Sequence, residues 1–424
     1  MYTIINMKFS SLNYKILIIT LFFTFLVIFS IFDEKIYFYI NKVLDHQKNS
    51  IKFADWIYVL NAALCHQDGA NVLGNNYCDP IGRLYYQYPT TLLYLPFVKI
   101  LYPIYLYLVP ISQIFFIILF LNIIYSNINF QNFFKIFFII FSTPIILGFE
   151  RGNIELLVFC LLIIISLQKN LYITQFLIYI ITQIKFYPLV LIIVLYFEKF
   201  DKKLLFSSVI FFLLILLFFS LQIDVIKVIL NHGEILRPTT VENVGIIIFG
   251  FNVIPDLVKT TLSHYKYSNI DFIYSITLFL LILINFFLIF FYYKNNKKNF
   301  PKINIIFFED KLFFYSSLLL ITLYFITMSY AYREIYLLGL IPFLISKKNK
   351  KNIISLILKK IIYFKLSGMT FFWILQSTLM SKSLLVKGLN ILIKGIFDNV
   401  IIIFLIIFVL KMFQKSLKQK KYVS

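Results

Sequence analysis

Acidic residues are scarce in this chain: 19 Asp and Glu stand against 40 Lys and Arg in 424 residues, a formal net charge of +21. In a soluble protein that excess would point to nucleic acid. Here the lysines gather in short segments between apolar runs, the positive-inside pattern of a membrane protein, and nucleic acid is set aside as a partner. Cysteine and histidine are scarcer still, at 3 and 4. No Cys or His pair has metal-ligand spacing, so no metal site is readable. Cys160 lies inside an apolar run, and His46, His66, His232 and His264 are scattered through polar segments. The 12 glycines form no phosphate-cradling loop, so no nucleotide-driven motor is encoded. Gly-x-Ser-x-Gly, His-Glu-x-x-His and a Cys/His nucleophile pair are missing, which removes the commoner hydrolase and protease chemistries. No lipidation motif, internal repeat or heptad run is present.

Apolar residues fill the space these absences leave. The chain is 61% hydrophobic, with a mean hydropathy of +0.87, where soluble domains sit nearer 45–50% apolar. Apolar runs fall near 15–32, 103–125, 134–149, 154–168, 171–184, 187–197, 204–223, 271–293, 312–328, 334–346, 353–379 and 389–411. They predict an all-α, polytopic membrane protein of about twelve helical segments, forming one membrane domain over 1–424. The first run follows Lys8 and Lys15 and leads into Asp33-Glu34-Lys35 without a small-residue cleavage site, so it is expected to stay as a helix. The lysine blocks at 199–203, 294–298, 347–351 and 415–421 fall on one side with Lys8 only if 171–197 reverses at Lys185. Short broken helices of that kind are tolerated where they pack inside protein. Both termini are then cytoplasmic, and segments 33–102 and 224–270 are extracytoplasmic. Within the second, Val244–Val258 reads as re-entrant or interfacial, since it holds Gly250 and Pro255.

Polar chemistry concentrates on that outer face. Glu150-Arg151-Gly152-Asn153-Ile154-Glu155 sits between two long apolar runs, where charge costs several kcal/mol unless paired or hydrated. Arg151, Lys185 and Arg333 fall on the same predicted side. Arg offers a fork of donors that suits phosphate, and Lys offers a compact charge. Asn153 and Glu155 open a helix, whose N-terminus also favours an anion. Internal pairing (Glu150 with Arg151, Arg333 with Glu334) and a snorkelling Lys185 stand as the structural alternatives. In Ile51–His66, Phe53, Ile57, Leu60 and Leu64 form a helical stripe, with Asp55, Tyr58 and Ala62 on the opposite face. This predicts a helix lying on the outer membrane surface. Asp55 is then either a general base or a solvated loop carboxylate. Tyr85-Tyr86-Gln87-Tyr88-Pro89 reads as an aromatic belt at the interface, or as a shaped turn whose rings, with Gln87, meet a sugar. Cys65 and Cys78 share the first outer segment and can close a disulfide if it faces an oxidising compartment.

Asp55 with Tyr58 and Ala62-Ala63-Leu64, then Tyr88-Pro89, then Arg151-Gly152-Asn153 opening a helix, then Lys185-x-Tyr187-Pro188, resembles glycosyltransferase family 87. That family includes polyprenyl-phosphate-mannose-dependent mannosyltransferases. The resemblance covers roughly residues 50–200, and the rest only by topology. It implies a GT-C fold with an extracytoplasmic active site, a polyprenyl-phosphate-linked sugar donor, a glycan or glycolipid acceptor, and inversion at the anomeric carbon. It places the catalytic base at Asp55 and donor-phosphate contacts at Arg151 and Lys185; Arg333, in a cluster where family members often carry basic residues, joins them as a candidate phosphate contact, and Tyr58, Gln87, Tyr88, Asn153, Glu155 and Tyr187 are the candidate substrate contacts. No organic cofactor is implied. The first outer segment lacks an acidic pair such as Asp-Asp, a departure from the protein O-mannosyltransferase branch that leaves dependence on a divalent metal open. A transporter or flippase of lipid-linked saccharides, and a saccharide polymerase, are the alternatives. The first would spread its cations through the membrane depth; the second would carry paired arginines in a larger late outer loop, where 224–270 has Arg237 alone.

Overall fold

The computed structural model describes residues 22, 33, 35, 52–73, 76–80, 86, 88–125, 139, 142–197, 202–231, 248–295, 301, 307–326, 329–346, 349, 352–368 and 384–421. Gln87 and the apolar run at 15–32 (apart from residue 22), most of 126–142, the middle of segment 224–270 and 369–383 lie outside them. The chain divides into two compact units. The first comprises 1–140, 145–186 and 201–231; the second comprises 141–144, 187–200 and 232–424.

The elements of the first unit are all helical among its described residues. Helix α1 (Ala54–Gln67) is followed by a 3-10 turn (Thr90–Tyr94), α2 (Val98–Tyr125), α3 (Thr143–Glu150), α4 (Glu155–Leu167), α5 (Leu171–Ile184), α6 (Lys202–Leu221) and α7 (Ile223–Asn231). α2 carries Pro103 and Pro110 in its interior, which membrane helices tolerate because neighbours satisfy the freed carbonyls. Asn170 caps α5 by accepting from the Tyr172 N–H at 2.9 Å. α5 stops at Lys185, whose backbone is extended (φ −146). The helix thus ends at the residue where the sequence places its break.

α1 differs from the expected surface helix. Asp55, Ile57, Tyr58, Val59, Leu60, Ala62 and Ala63 are all buried, so both the apolar stripe and the opposite face are covered. α2 packs Val98, Leu101, Tyr102 and Tyr105 against Leu60 and Ala63. Small residues at 62 and 63 allow the close approach that a stripe analysis does not reveal. The Cys65–Cys78 disulfide closes the loop that follows α1.

In the second unit a 3-10 segment (Tyr187–Phe197) precedes strand β1 (Ile248–Phe249), α8 (Val253–His264), α9 (Ile270–Asn295), α10 (Phe308–Ile326), strand β2 (Ser329–Tyr330), a 3-10 segment (Ala331–Leu340), α11 (Ile341–Ile345), α12 (Ile353–Tyr363), a π turn (Phe364–Gly368) and α13 (Leu384–Lys421). β1 and β2 pair antiparallel, Ile248 with Tyr330 and Phe249 with Ser329. Pro255 falls in the first turn of α8, where its missing N–H is harmless. The stretch expected to be re-entrant is thus, where described, a strand residue pair and the start of a helix. α10 is the centre of the unit and packs on Ala331–Leu340, on Tyr187–Phe197 and on α13.

Among the described residues, three helices are long and apolar enough to cross a membrane: Val98–Phe120, Ile270–Asn295 and Gly388–Gln414. Glu155–Leu167, Leu171–Ile184 and Phe206–Leu221 are apolar but shorter. α9 leaves Phe272, Phe279, Phe286, Phe287 and Phe290 exposed, an apolar surface suited to lipid and far larger than a water-soluble monomer shows. Its buried residues are Leu281 and Asn285. The Asn285 and Asn399 amides bond reciprocally at 2.9 and 2.7 Å, and the Tyr324 hydroxyl donates to Asn399 Oδ1 at 3.0 Å. α9 is thereby pinned to α13 and α10 by polar contacts.

Candidate functional site

Seven of the residues singled out in the sequence (Asp55, Tyr58, Tyr88, Arg151, Asn153, Glu155 and Lys185) meet in the first unit. The start of α1 and the turn before α4 are locked by their backbones: the Phe53 N–H donates to the Glu150 carbonyl at 3.3 Å and the Asp55 N–H to the Arg151 carbonyl at 3.1 Å. Both Phe53 (φ 56) and Gly152 (φ 57) are left-handed. A Cβ at Gly152 would lie 2.8 Å from Val109 Cγ1 and 2.9 Å from Phe53 Cβ, so only glycine fits. The strain stored at Phe53 is of the kind that clusters at functional sites.

This turn surrounds the Asp55 carboxylate, which is 3% exposed. Arg151 Nε stands 3.5 Å from Asp55 Oδ1, and the Asn153 amide donates a short hydrogen bond to Oδ2. Asn153 Oδ1 in turn accepts the Glu155 N–H at 2.8 Å. Glu155, 1% exposed, opens α4 and lies 4.0 Å from Lys185 Nζ. Asp55 and Glu155 each occupy the first turn of a helix, where the helix dipole favours an anion. The two acids are thus each matched by a cation, with Asn153 between them. The cations are the more exposed partners: the Arg151 and Lys185 side chains are 14% and 12% accessible.

Lys185 also lies over the Tyr88 ring, 3.9 Å from its centroid. Tyr58, Tyr86 and Tyr88 pack together at 5.7–6.1 Å between centroids, Tyr58 stacked on Tyr86 and Tyr88 tilted against both. All three are buried, so they act here as the packed floor of the cluster. The Tyr86 hydroxyl donates to the Pro89 carbonyl at 3.4 Å. Burial, and then the neighbouring Tyr58, push the Tyr86 phenol well above its ordinary range, which makes it a neutral hydroxyl. Gln87 lies outside the described residues.

Tyr187 and Arg333 belong to the second unit. Arg333 Cζ is 5.9 Å from the Tyr187 ring centroid, and the Tyr187 and Tyr336 hydroxyls share a 2.6 Å hydrogen bond. The sequence reading missed the main polar feature of this unit, a buried quartet of charges. Lys365 Nζ reaches Glu334 Oε2 at 2.8 Å and also bonds Asp398. Lys394 Nζ reaches Glu334 Oε1 at 2.6 Å and Asp398 Oδ2 at 2.9 Å. All four side chains are 6% exposed or less, and the Phe249 ring lies 5.3 and 5.8 Å from the two ammonium groups. Glu334 therefore pairs with lysines far along the chain. The i,i+4 spacing of Lys394 and Asp398 inside an apolar run was the available signal.

Among the described residues no three His, Cys, Asp or Glu side chains are grouped closely enough to hold a metal ion. No protein-family model, curated protein or solved structure matches this chain.

Proposed function

We propose that this chain is a multi-pass membrane glycosyltransferase similar to glycosyltransferase family 87. It moves a sugar, a mannose-like hexose or a pentose, from a polyprenyl-phosphate carrier to an extracytoplasmic glycan or glycolipid. About twelve helical segments cross or enter the cell membrane in this reading, with both termini cytoplasmic. The observation that carries it is the convergence of Asp55, Arg151, Asn153 and Lys185, drawn from α1, the turn before α4 and the end of α5, in one compact unit. Cys65 of the Cys65–Cys78 bond is on the same helix as Asp55, and disulfides persist on the oxidising side of a membrane.

In the reaction the acceptor oxygen forms a bond to the anomeric carbon as the bond from that carbon to the phosphate oxygen breaks. Asp55 takes the acceptor's hydroxyl proton. The carrier leaves as polyprenyl phosphate, and Arg151 and Lys185 stabilise the charge growing on it. The configuration inverts because a single displacement occurs. The purified chain in liposomes, given polyprenyl-phosphate sugars and a lipid-extract acceptor, should release polyprenyl phosphate and form an inverted glycoside. Consumption of nucleotide sugars alone, or no turnover of any polyprenyl-phosphate sugar tried, would refute the reading.

A further inference from the structure

We infer that Asn153 is a positioning residue, fixing the orientation of the Asp55 carboxylate rather than touching the sugar. The inference rests on the glycosyl-transfer reading above and assigns Asn153 a different role from the substrate contact for which the sequence made it a candidate. Three observations carry it. Both polar atoms of the buried Asn153 side chain are already engaged by protein, Nδ2 by the Asp55 carboxylate and Oδ1 by the Glu155 N–H. Its amide orientation is dictated by chemistry: a carboxylate only accepts and a backbone N–H only donates, so Nδ2 must face Asp55 and Oδ1 must face the Glu155 N–H. Its own backbone is held at both ends, the N–H by the Gly148 carbonyl at 2.8 Å and the carbonyl by the Leu156 N–H at 3.1 Å. The amide therefore transmits the fixed geometry of the α4 start directly to the Asp55 oxygen.

Other groups also bear on Asp55. Arg151 lies at 3.5 Å, Tyr58 is nearly one turn farther along α1, and Glu150, Glu155 and Lys185 stand on the flanking turn and helices. α2 contributes Tyr102 and Tyr105, packed farther along α1, and the Thr90–Tyr94 turn contributes Tyr94, beside His66 at the far end of the helix.

Asn153→Ser separates the two functions of the amide. Its hydroxyl can still accept the Glu155 N–H but is too short to replace the donor to Asp55. The pH dependence of kcat/KM for sugar transfer should show its acid limb moved up by about one pH unit in Asn153→Ser, because a lost donor disfavours the charged carboxylate. Asn153→Asp, close to isosteric, should move the limb farther through like-charge repulsion, and it carries the test if Asn153→Ser does not fold. A lower rate with an unmoved acid limb in both variants overturns the positioning role and leaves the glycosyl-transfer reading standing. Wild-type chain that turns over no polyprenyl-phosphate sugar overturns that reading instead, and the inference with it.

Discussion

Removing Lys394 from the buried quartet should cost far more than removing Lys394 and Asp398 together. In Lys394→Met, the contacts to Glu334 at 2.6 Å and Asp398 at 2.9 Å disappear. Breaking a buried ion pair by removing one partner costs about 3–5 kcal/mol, and that is the loss expected here. Lys365 then faces two carboxylates alone, and the site carries one uncompensated negative charge. In Lys394→Met/Asp398→Leu the charges balance again, because Lys365 keeps Glu334 at 2.8 Å. The double variant should regain about 2 kcal/mol relative to the single one, within the range of coupling energies for residues in contact. Thermal unfolding in detergent at fixed scan rate should show the single variant about 10 °C below wild type and the double variant between them. A double variant as unstable as the sum of Lys394→Met and Asp398→Leu would refute the view of the quartet as one coupled network.

Three further outcomes follow from the geometry. Gly152→Ala should lose at least about 2 kcal/mol and most activity, because its Cβ meets Val109 and Phe53 at 2.8 and 2.9 Å in a left-handed turn; Gly69→Ala, left-handed with nothing within 4 Å, should lose less, and the two are compared by thermal midpoint and transfer rate. Cys65→Ser/Cys78→Ser, which opens a bridge with a sequence separation of 13, should lose about 3 kcal/mol; a maleimide mass tag should label these cysteines in the unfolded wild type only after reduction. Asn285→Ala should loosen α9 from α13 by about 0.6–1.7 kcal/mol, read as faster backbone hydrogen exchange confined to α9.

The helices were legible where local composition decides them. α9 and α13 are long apolar runs bounded by lysines, and the end of a helix at Lys185 was legible in the charge that interrupts apolar sequence there. The Arg151-Gly152-Asn153 turn stood out because charge and glycine interrupt apolar sequence, and its approach to Asp55 was anticipated through the motif. Its internal wiring was not: nothing in the spacing says that Asn153 faces a carboxylate instead of a ligand, or that Tyr58, Tyr86 and Tyr88 cover one another. The burial of Asp55, Tyr58 and Ala62 on α1 was missed because a period of 3.6 reports one apolar face, whereas the small Ala62 lets neighbours close over the other. The quartet was missed for a different reason. Glu334, Lys365 and the Lys394–Asp398 pair lie on three separate segments, each of which reads alone as a costly charge in an apolar run. Only tertiary packing makes them neutral.

In the proposed reaction Asp55 removes the proton from the acceptor. Sugar transfer from a polyprenyl-phosphate donor in proteoliposomes, compared between the wild type and Asp55→Asn at equal protein and equal thermal midpoint, tests it most directly. The account predicts a loss of about 10²–10⁴-fold in rate, the usual contribution of a positioned base, with donor binding retained. Full transfer by Asp55→Asn would contradict it.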